Sequence, residues 1–344
     1  MNEERLFNKI EEDVKILAQQ IKTKSPGELD SKWDYLTSVE PKKFINKDLT
    51  VNKDILRNFR KYQVFISDRP GKYGASSPFL MWSGTIRGVK KLLIDCYNVI
   101  EENGFRDLLL KHPIFNIGNP TTFTYKGCNF TYRWTKHIYF LGQFNKVFKD
   151  KINNDFIGMD VGSSYGIFSS LLKKEYPKST QVLLDFPEQL ILAHYFIGKE
   201  FPEAKIAGFK ELINAEKIDR EFIKQFDFVL LPWFWFDKVR ENSIDLLTNF
   251  ASFGEMRREW FDFYLKSDLF KTVKYLFTAN RFQSYPTYDT DITILDYPLN
   301  EFDKIHFGIC PIFSHDYLPN QLFFYNKKYF SSQYFEFFGV RNNS

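Results

Sequence analysis

Cysteine is scarce in this sequence. Cys96, Cys128 and Cys310 are the only three in 344 residues, and they are scattered and odd in number. That excludes a disulfide framework and points to a reducing compartment. Long apolar runs are absent as well: no uninterrupted stretch reaches the roughly 20 residues that a membrane-spanning helix needs. The opening MNEERLFNKIEEDVK has no apolar signal core. A cytoplasmic protein without a membrane span is the expectation. Basic blocks are missing too. The 47 basic and 43 acidic residues nearly balance at a net charge of +4, so nothing in the charge pattern points to nucleic acid.

Aromatic residues are plentiful. The 39 phenylalanines and 19 tyrosines exceed what a core of this size usually needs, and a hydrophobic content of 44% is ample to build one. The chain is organised around residues 156–209. A short apolar run, Phe156–Met159, ends in Asp160. The turn Gly162-Ser-Ser-Tyr-Gly166 follows, then Ile167, Phe168, Leu171 and Leu172 at helical spacing. A second apolar run, Val182–Leu184, stops at Asp185. Strand, glycine loop, helix, strand and acid suit a nucleoside-containing cofactor. Glycine lets the backbone approach a ligand, the helix N-terminus offers free N–H groups, and the second acid can accept from ribose hydroxyls. A dinucleotide fingerprint wants G-x-G-x-x-G, but the middle position here is Ser164.

The arrangement acid-x-Gly-x-x-x-Gly, followed by Asp185-Phe-Pro-Glu188, resembles class I S-adenosylmethionine-dependent methyltransferases. The resemblance implies that Asp160, Gly162, Ser163 and Gly166 hold the methionine end of S-adenosyl-L-methionine, and that Asp185, with Phe186 beside it, holds the ribose. Asp245-Leu-x-x-Asn249-x-x-Ser252-x-x-Glu255-Met256 and Tyr275-Leu-Phe-Thr-Ala-Asn-Arg281 are similar to the sugar O-methyltransferases of bacterial surface-polysaccharide clusters. That likeness covers residues 130–330 or so. It implies an α/β fold: a Rossmann-like class I methyltransferase sheet with helices on both faces, plus a mainly helical N-terminal region. Residues 1–150 are then that N-terminal region, for oligomerisation and acceptor-site cover, and residues 151–344 are the cofactor-binding domain. The activity implied is O-methylation of a sugar hydroxyl on a sugar, nucleotide-sugar or glycan acceptor. A nicotinamide-dependent oxidoreductase and a non-catalytic protein that retains the fold are the other readings.

Further candidates follow from position. Leu230 lies near the end of a strong strand and is placed to flank the adenine, with Asn249 where the next strand is left. The aromatic run Trp233–Phe236 is either lid, sugar platform or plain core. Arg133, His137 and Tyr139 on a helix before the first central strand are candidates for substrate or cofactor-carboxylate contact, and Ser252 and Arg281 for substrate. A general base comes from Glu255, His306 or His315. Ser252-x-x-Glu255 is also a capping box, so Glu255 is read equally as a cap. No metal is expected, since Asp289, Asp291 and Asp296 lie in a turn-like stretch without histidine. Leu6, Ile10, Val14, Leu17 and Ile21 form one helical face, for packing or for a homodimer. Ile305–Phe313 and Gln321–Tyr325 read as antiparallel end strands.

Overall fold

The computed structural model describes residues 2–21, 41–62, 64–66, 85–284, 291–313, 317–319, 328–330 and 333–342. Six parallel strands run in the order β5 (Ile206–Ala207), β6 (Phe228–Pro232), β4 (Thr180–Asp185), β3 (Ile157–Val161), β7 (Leu246–Phe250) and β8 (Tyr275–Arg281). β12 (Tyr334–Arg341) then pairs antiparallel with β8 on one side and with β9 (Phe302–Ile309) on the other. An antiparallel strand slotted in before the last one sets this sheet apart from the all-parallel dinucleotide-binding order. It is the class I methyltransferase arrangement. Two small hairpins stand outside it: β1 (Phe123–Tyr125) with β2 (Cys128–Phe130), and β10 (Tyr317–Pro319) with β11 (Lys328–Phe330). The first is the hairpin expected around Lys126-Gly127. The expected end strand over 305–313 is β9, slightly earlier. The other, over 321–325, lies outside the described residues, and the strand that completes the sheet is β12.

β3 and β4 read as unbroken apolar runs because both faces of a mostly parallel sheet are covered; all five residues of β3 are buried. One face carries α3 (Tyr132–Phe148), against which α2 (Thr85–Glu102) packs, and α4 (Ile167–Glu175). α3 starts where Thr131 accepts from the Trp134 amide at 3.3 Å. Part of the phenylalanine surplus goes into this layer. Phe250 stacks on Phe140 at 3.9 Å and meets Phe168 and Phe277 edge-on at 4.8 Å each, and Phe277 packs on Phe338 at 4.3 Å. Such pairs add about 0.5–1.5 kcal/mol each beyond their buried area.

α1 (Glu3–Ile21) lies against α5 (Pro187–Glu200) and α6 (Phe209–Ile213). Leu6, Phe7, Ile10, Val14 and Leu17 are 0–4% exposed, each contributing about 1.5–3 kcal/mol of burial. Asp13 fixes the contact, bonding His194 Nδ1 at 2.8 Å and accepting from the Phe209 amide at 2.8 Å. The apolar face offered as a dimer interface is therefore covered by this chain's own helices. Among the described residues one continuous apolar core runs from Leu6 to Phe338. Among the described residues no helix is long and apolar enough to cross a membrane.

Candidate functional site

From β3 the chain moves to β4 and β6 on one side, then returns to β7 and β8 on the other. The order therefore reverses between β3 and β7, and doubly wound sheets bind ligands in the crevice outside that point. The glycine loop lies there. Gly162 has φ +76° and a Cβ on it would lie 2.2 Å from Ser252 Oγ. Gly166 has φ +86° and a Cβ would lie 2.5 Å from Leu183 Cδ2. Neither position accepts another residue without movement of its neighbours. Ser164, where a dinucleotide fingerprint has glycine, adopts φ +52°, a conformation that costs a side chain about 1–2 kcal/mol. Two contacts hold it. Its amide donates to Asp185 Oδ2 at 2.6 Å, and Arg133 Nη1 donates to its hydroxyl at 3.1 Å. The loop thus keeps a glycine-like path with serine, tied to the acid of the next strand.

Three carboxyl groups gather around this loop. Asp160 is 5% exposed and accepts from the Thr248 hydroxyl at 2.8 Å. Burial pushes its carboxyl up to about 7, and the charge of Asp185 adds to the rise. Burial raises Asp185 to about 6, against the pull of its bonds from the Phe186 and Ser164 amides. The Phe186 amide donates to Asp185 Oδ1 at 2.7 Å, which places half-buried Phe186 at the start of α5. Glu188 in the first turn of α5 is likewise raised to about 7 by burial and then by Asp185. In the sequence Glu188 appears only as the end of the Asp185-Phe-Pro-Glu188 motif, and its place three residues beyond Asp185 was the available signal. Ser163 is 4% exposed, and among the described residues its hydroxyl and Gln189 Oε1 in α5 have no hydrogen-bond partner. Buried carboxyls held in this way fit a ligand that brings hydroxyl groups and positive charge.

The exit of β7 forms the other wall. The Asn249 side chain donates to Val161 O at 2.7 Å and accepts from the Phe253 amide at 3.1 Å and from Asn280 Nδ2 at 2.8 Å. It is 0% exposed. Asn249 therefore holds the two loops together from beneath, where a cofactor contact was expected. Leu230, expected beside the adenine, is also 0% exposed within the strand. The anticipated capping box does not form: Ser252 makes no side-chain cap bond, and a three-residue turn, Phe253–Glu255, stands where a helix start was expected. Ser252 instead packs its hydroxyl over Gly162. Glu255 and Arg281 flank this turn, with Glu255 Oε1 3.9 Å from Arg281 Nη2.

Other candidates are placed elsewhere. Tyr139 is 0% exposed and donates to the Glu336 carboxylate at 2.9–3.0 Å; it is a core residue of α3 and does not face the crevice. His306 bonds Glu336 Oε1 at 3.0 Å at the β9 edge. Four strand spacings, roughly 19 Å, separate it from β3. His315 and Asp289 lie outside the described residues. Asp291 and Asp296 pair with Arg258 at 3.2 and 2.8 Å. Trp235 and Phe236 are buried, while half-buried Trp233 meets Trp260 of α7 (Arg258–Leu265) at 4.6 Å. The aromatic run is thus core at one end and a partly open platform at the other.

No protein-family model matches the chain, and no curated protein matches it. Among solved structures, M. capricolum TrmK in complex with S-adenosyl-homocysteine is similar at 12% identity and TM-score 0.32, over 58% of this chain and 68% of that one. PKMT2 from Rickettsia typhi in complex with AdoHcy is similar at 16% identity and TM-score 0.28, over 41% of this chain and 24% of that one. WbdD is similar at 12% identity and TM-score 0.35, over 59% of this chain and 39% of that one.

Proposed function

We propose that the chain is an S-adenosylmethionine-dependent O-methyltransferase that acts on a sugar hydroxyl in surface-polysaccharide or glycan biosynthesis. The observation that carries this reading is the loop from Gly162 to Gly166. It winds through three left-handed residues between a buried acid behind it, Asp160, and a second acid ahead of it, Asp185. The antiparallel β12 supports it over a nicotinamide-dependent oxidoreductase. The sugar acceptor is supported by the sequence motif around Asn249, Ser252 and Glu255, which folds into the wall facing that loop.

Asp185 would accept from the ribose hydroxyls, and the loop would take the methionine end, with Asp160 beneath it. Bound there, the sulfonium supplies a methyl group that is already activated for transfer. What remains for the protein is to align an acceptor oxygen with that methyl group and to remove its proton. Glu255 would take the second task; its carboxylate lies 3.9 Å from Arg281 at the end of β8. Calorimetry with S-adenosylmethionine, S-adenosylhomocysteine and NAD separates the readings. Binding of the first two without NAD supports a methyltransferase; the reverse pattern overturns it. Product mass analysis with a panel of nucleotide sugars then tests the acceptor class.

Affinity for S-adenosylmethionine is expected to rise with pH between about 5.5 and 7.5. A cationic, hydroxyl-bearing ligand prefers the ionised acids, and Asp160, Asp185 and Glu188 titrate near 7, 6 and 7. Protonation at lower pH therefore competes with binding, and binding near pH 6.5 releases protons. Calorimetry in buffers of different ionisation enthalpy measures that release. Affinity that falls as pH rises would show that these acids do not face the ligand.

A further inference from the structure

We propose that Arg281, backed by Lys136, forms a phosphate site beside Glu255, so that the acceptor is a sugar carrying a phosphate, such as a nucleotide sugar; the inference rests on the sugar O-methyltransferase reading above. β8 runs parallel to β7, so Arg281 at its C-terminus stands on the crevice side of the sheet. Its partner in register is Tyr334, the first residue of β12. The Arg281 guanidinium lies 4.8 Å over the Tyr334 ring. Tyr334 in turn stacks at 4.0 Å on Phe313, in the turn that follows β9. The Lys136 ammonium of α3 sits 3.9 Å over Phe313 and 3.9 Å over Tyr132. The two stacked rings are too close to admit anything between them, so the two cations take their outer faces. Aromatic faces hold such charges in place without neutralising them.

Positive charge therefore concentrates at this end of the crevice. Lys136 is 9% exposed. Burial, then the charges of Arg133 and Arg281, hold its ammonium well below its ordinary pKa. Like charges gathered in a wall of low dielectric favour an anion in front of them. Glu255 Oε1 stands 3.9 Å from Arg281 Nη2, beyond hydrogen-bond distance, so it does not close the guanidinium fork. A further donor lies close by. Tyr297 is 6% exposed, and among the described residues its hydroxyl has no hydrogen-bond partner. It borders the turn that carries Glu255: a Cβ on Gly254 would lie 3.9 Å from that hydroxyl and 3.8 Å from Arg281 Cβ. The Gly254 amide donates to Asn280 Oδ1 at 3.3 Å, which pins the turn to the end of β8. A guanidinium fork and a phenol hydroxyl match phosphate oxygens. A phosphate brings about two negative charges and so draws on both cations, whereas the carboxylate of a uronic acid brings one. Held at Arg281, the phosphate would put the sugar attached to it next to Glu255.

Calorimetry on the protein loaded with S-adenosylhomocysteine tests the site, with inorganic pyrophosphate and glucuronate as probes. The wild-type protein should bind pyrophosphate, and more tightly than glucuronate. Arg281→Gln should lose roughly 10- to 150-fold of that affinity while its affinity for S-adenosylhomocysteine stays the same. Lys136→Met keeps the apolar stem without the charge. It should lose less, and it decides the matter if the Gln variant does not fold. A wild-type protein that binds no pyrophosphate, tighter binding of glucuronate, or wild-type affinity in both variants would overturn the phosphate site. In turnover, nucleotide sugars should exceed the methyl glycosides of the same sugars by roughly 10-fold or more in kcat/KM. Equal values would overturn the phosphate-bearing acceptor. Pyrophosphate binding that depends on Arg281, in a protein that methylates no sugar, would support the phosphate site and bring down the sugar reading instead.

Discussion

Glu255→Gln is expected to lower methyl transfer by roughly 10²–10⁴-fold, the usual loss when a general base is removed. Stability should change by less than about 0.5 kcal/mol, as for most substitutions that create neither a cavity nor an unpaired charge. Glutamine has the shape of glutamate, and the turn that presents it is held by the backbone, with the Glu255 amide donating to Ser252 O at 2.9 Å. The rival role, a cap on a helix, has lost its basis because Ser252 makes no cap bond and the turn is three residues long. Single-turnover rate and melting temperature on the acceptor found in the nucleotide-sugar panel make the check. A Gln variant of wild-type rate would remove Glu255 from the chemistry. His306 would not replace it readily, since it stands at the far edge of the sheet.

Asp185→Ala is expected to weaken S-adenosylhomocysteine binding by roughly 10- to 150-fold, the equivalent of about 1.5–3 kcal/mol for hydrogen bonds to a charged group. Two effects combine. The variant loses the acceptor for the ribose hydroxyls. It also frees the Ser164 amide, now bonded to Asp185 Oδ2 at 2.6 Å, and with it the left-handed turn of the loop. Asp185→Asn keeps one acceptor oxygen and should fall between the two. The fold should survive, because removing a carboxyl that burial raises to about 6 also relieves the folded state of a buried charge at neutral pH. Calorimetry and circular dichroism read the two effects apart. Unchanged affinity in the Ala variant would place Asp185 outside the site.

Local periodicity and turn chemistry made much of the fold legible. The apolar runs before Asp160 and Asp185, the helical spacing after Gly166, and the Lys126-Gly127 hairpin all name their elements, because each is set by neighbours within a few residues. The helix that carries Arg133, His137 and Tyr139 before the first central strand followed from the same logic. β12 was not legible. Its run of phenylalanines has no turn signals of its own and becomes a strand only because β8 and β9 leave a gap between them.

The site divides in the same way. Sequence alone determined that a glycine loop and two acids would stand at the ends of adjacent strands, since strand, turn and strand are contiguous in the chain. Only tertiary structure decided the fate of side chains that meet across the sheet. Tyr139 turned inward because Glu336, 197 residues away, offers it a buried acceptor. Asn249 became a brace between Val161 and Asn280. Ser252 came to rest over Gly162, a contact that explains the glycine better than the loop motif does. The helix that looked free to dimerise found α5 and α6. Ser164 could take a glycine's conformation because Asp185 and Arg133 hold it there. Each of these outcomes depends on partners brought together by strand order, and no spacing within the sequence encodes that distance.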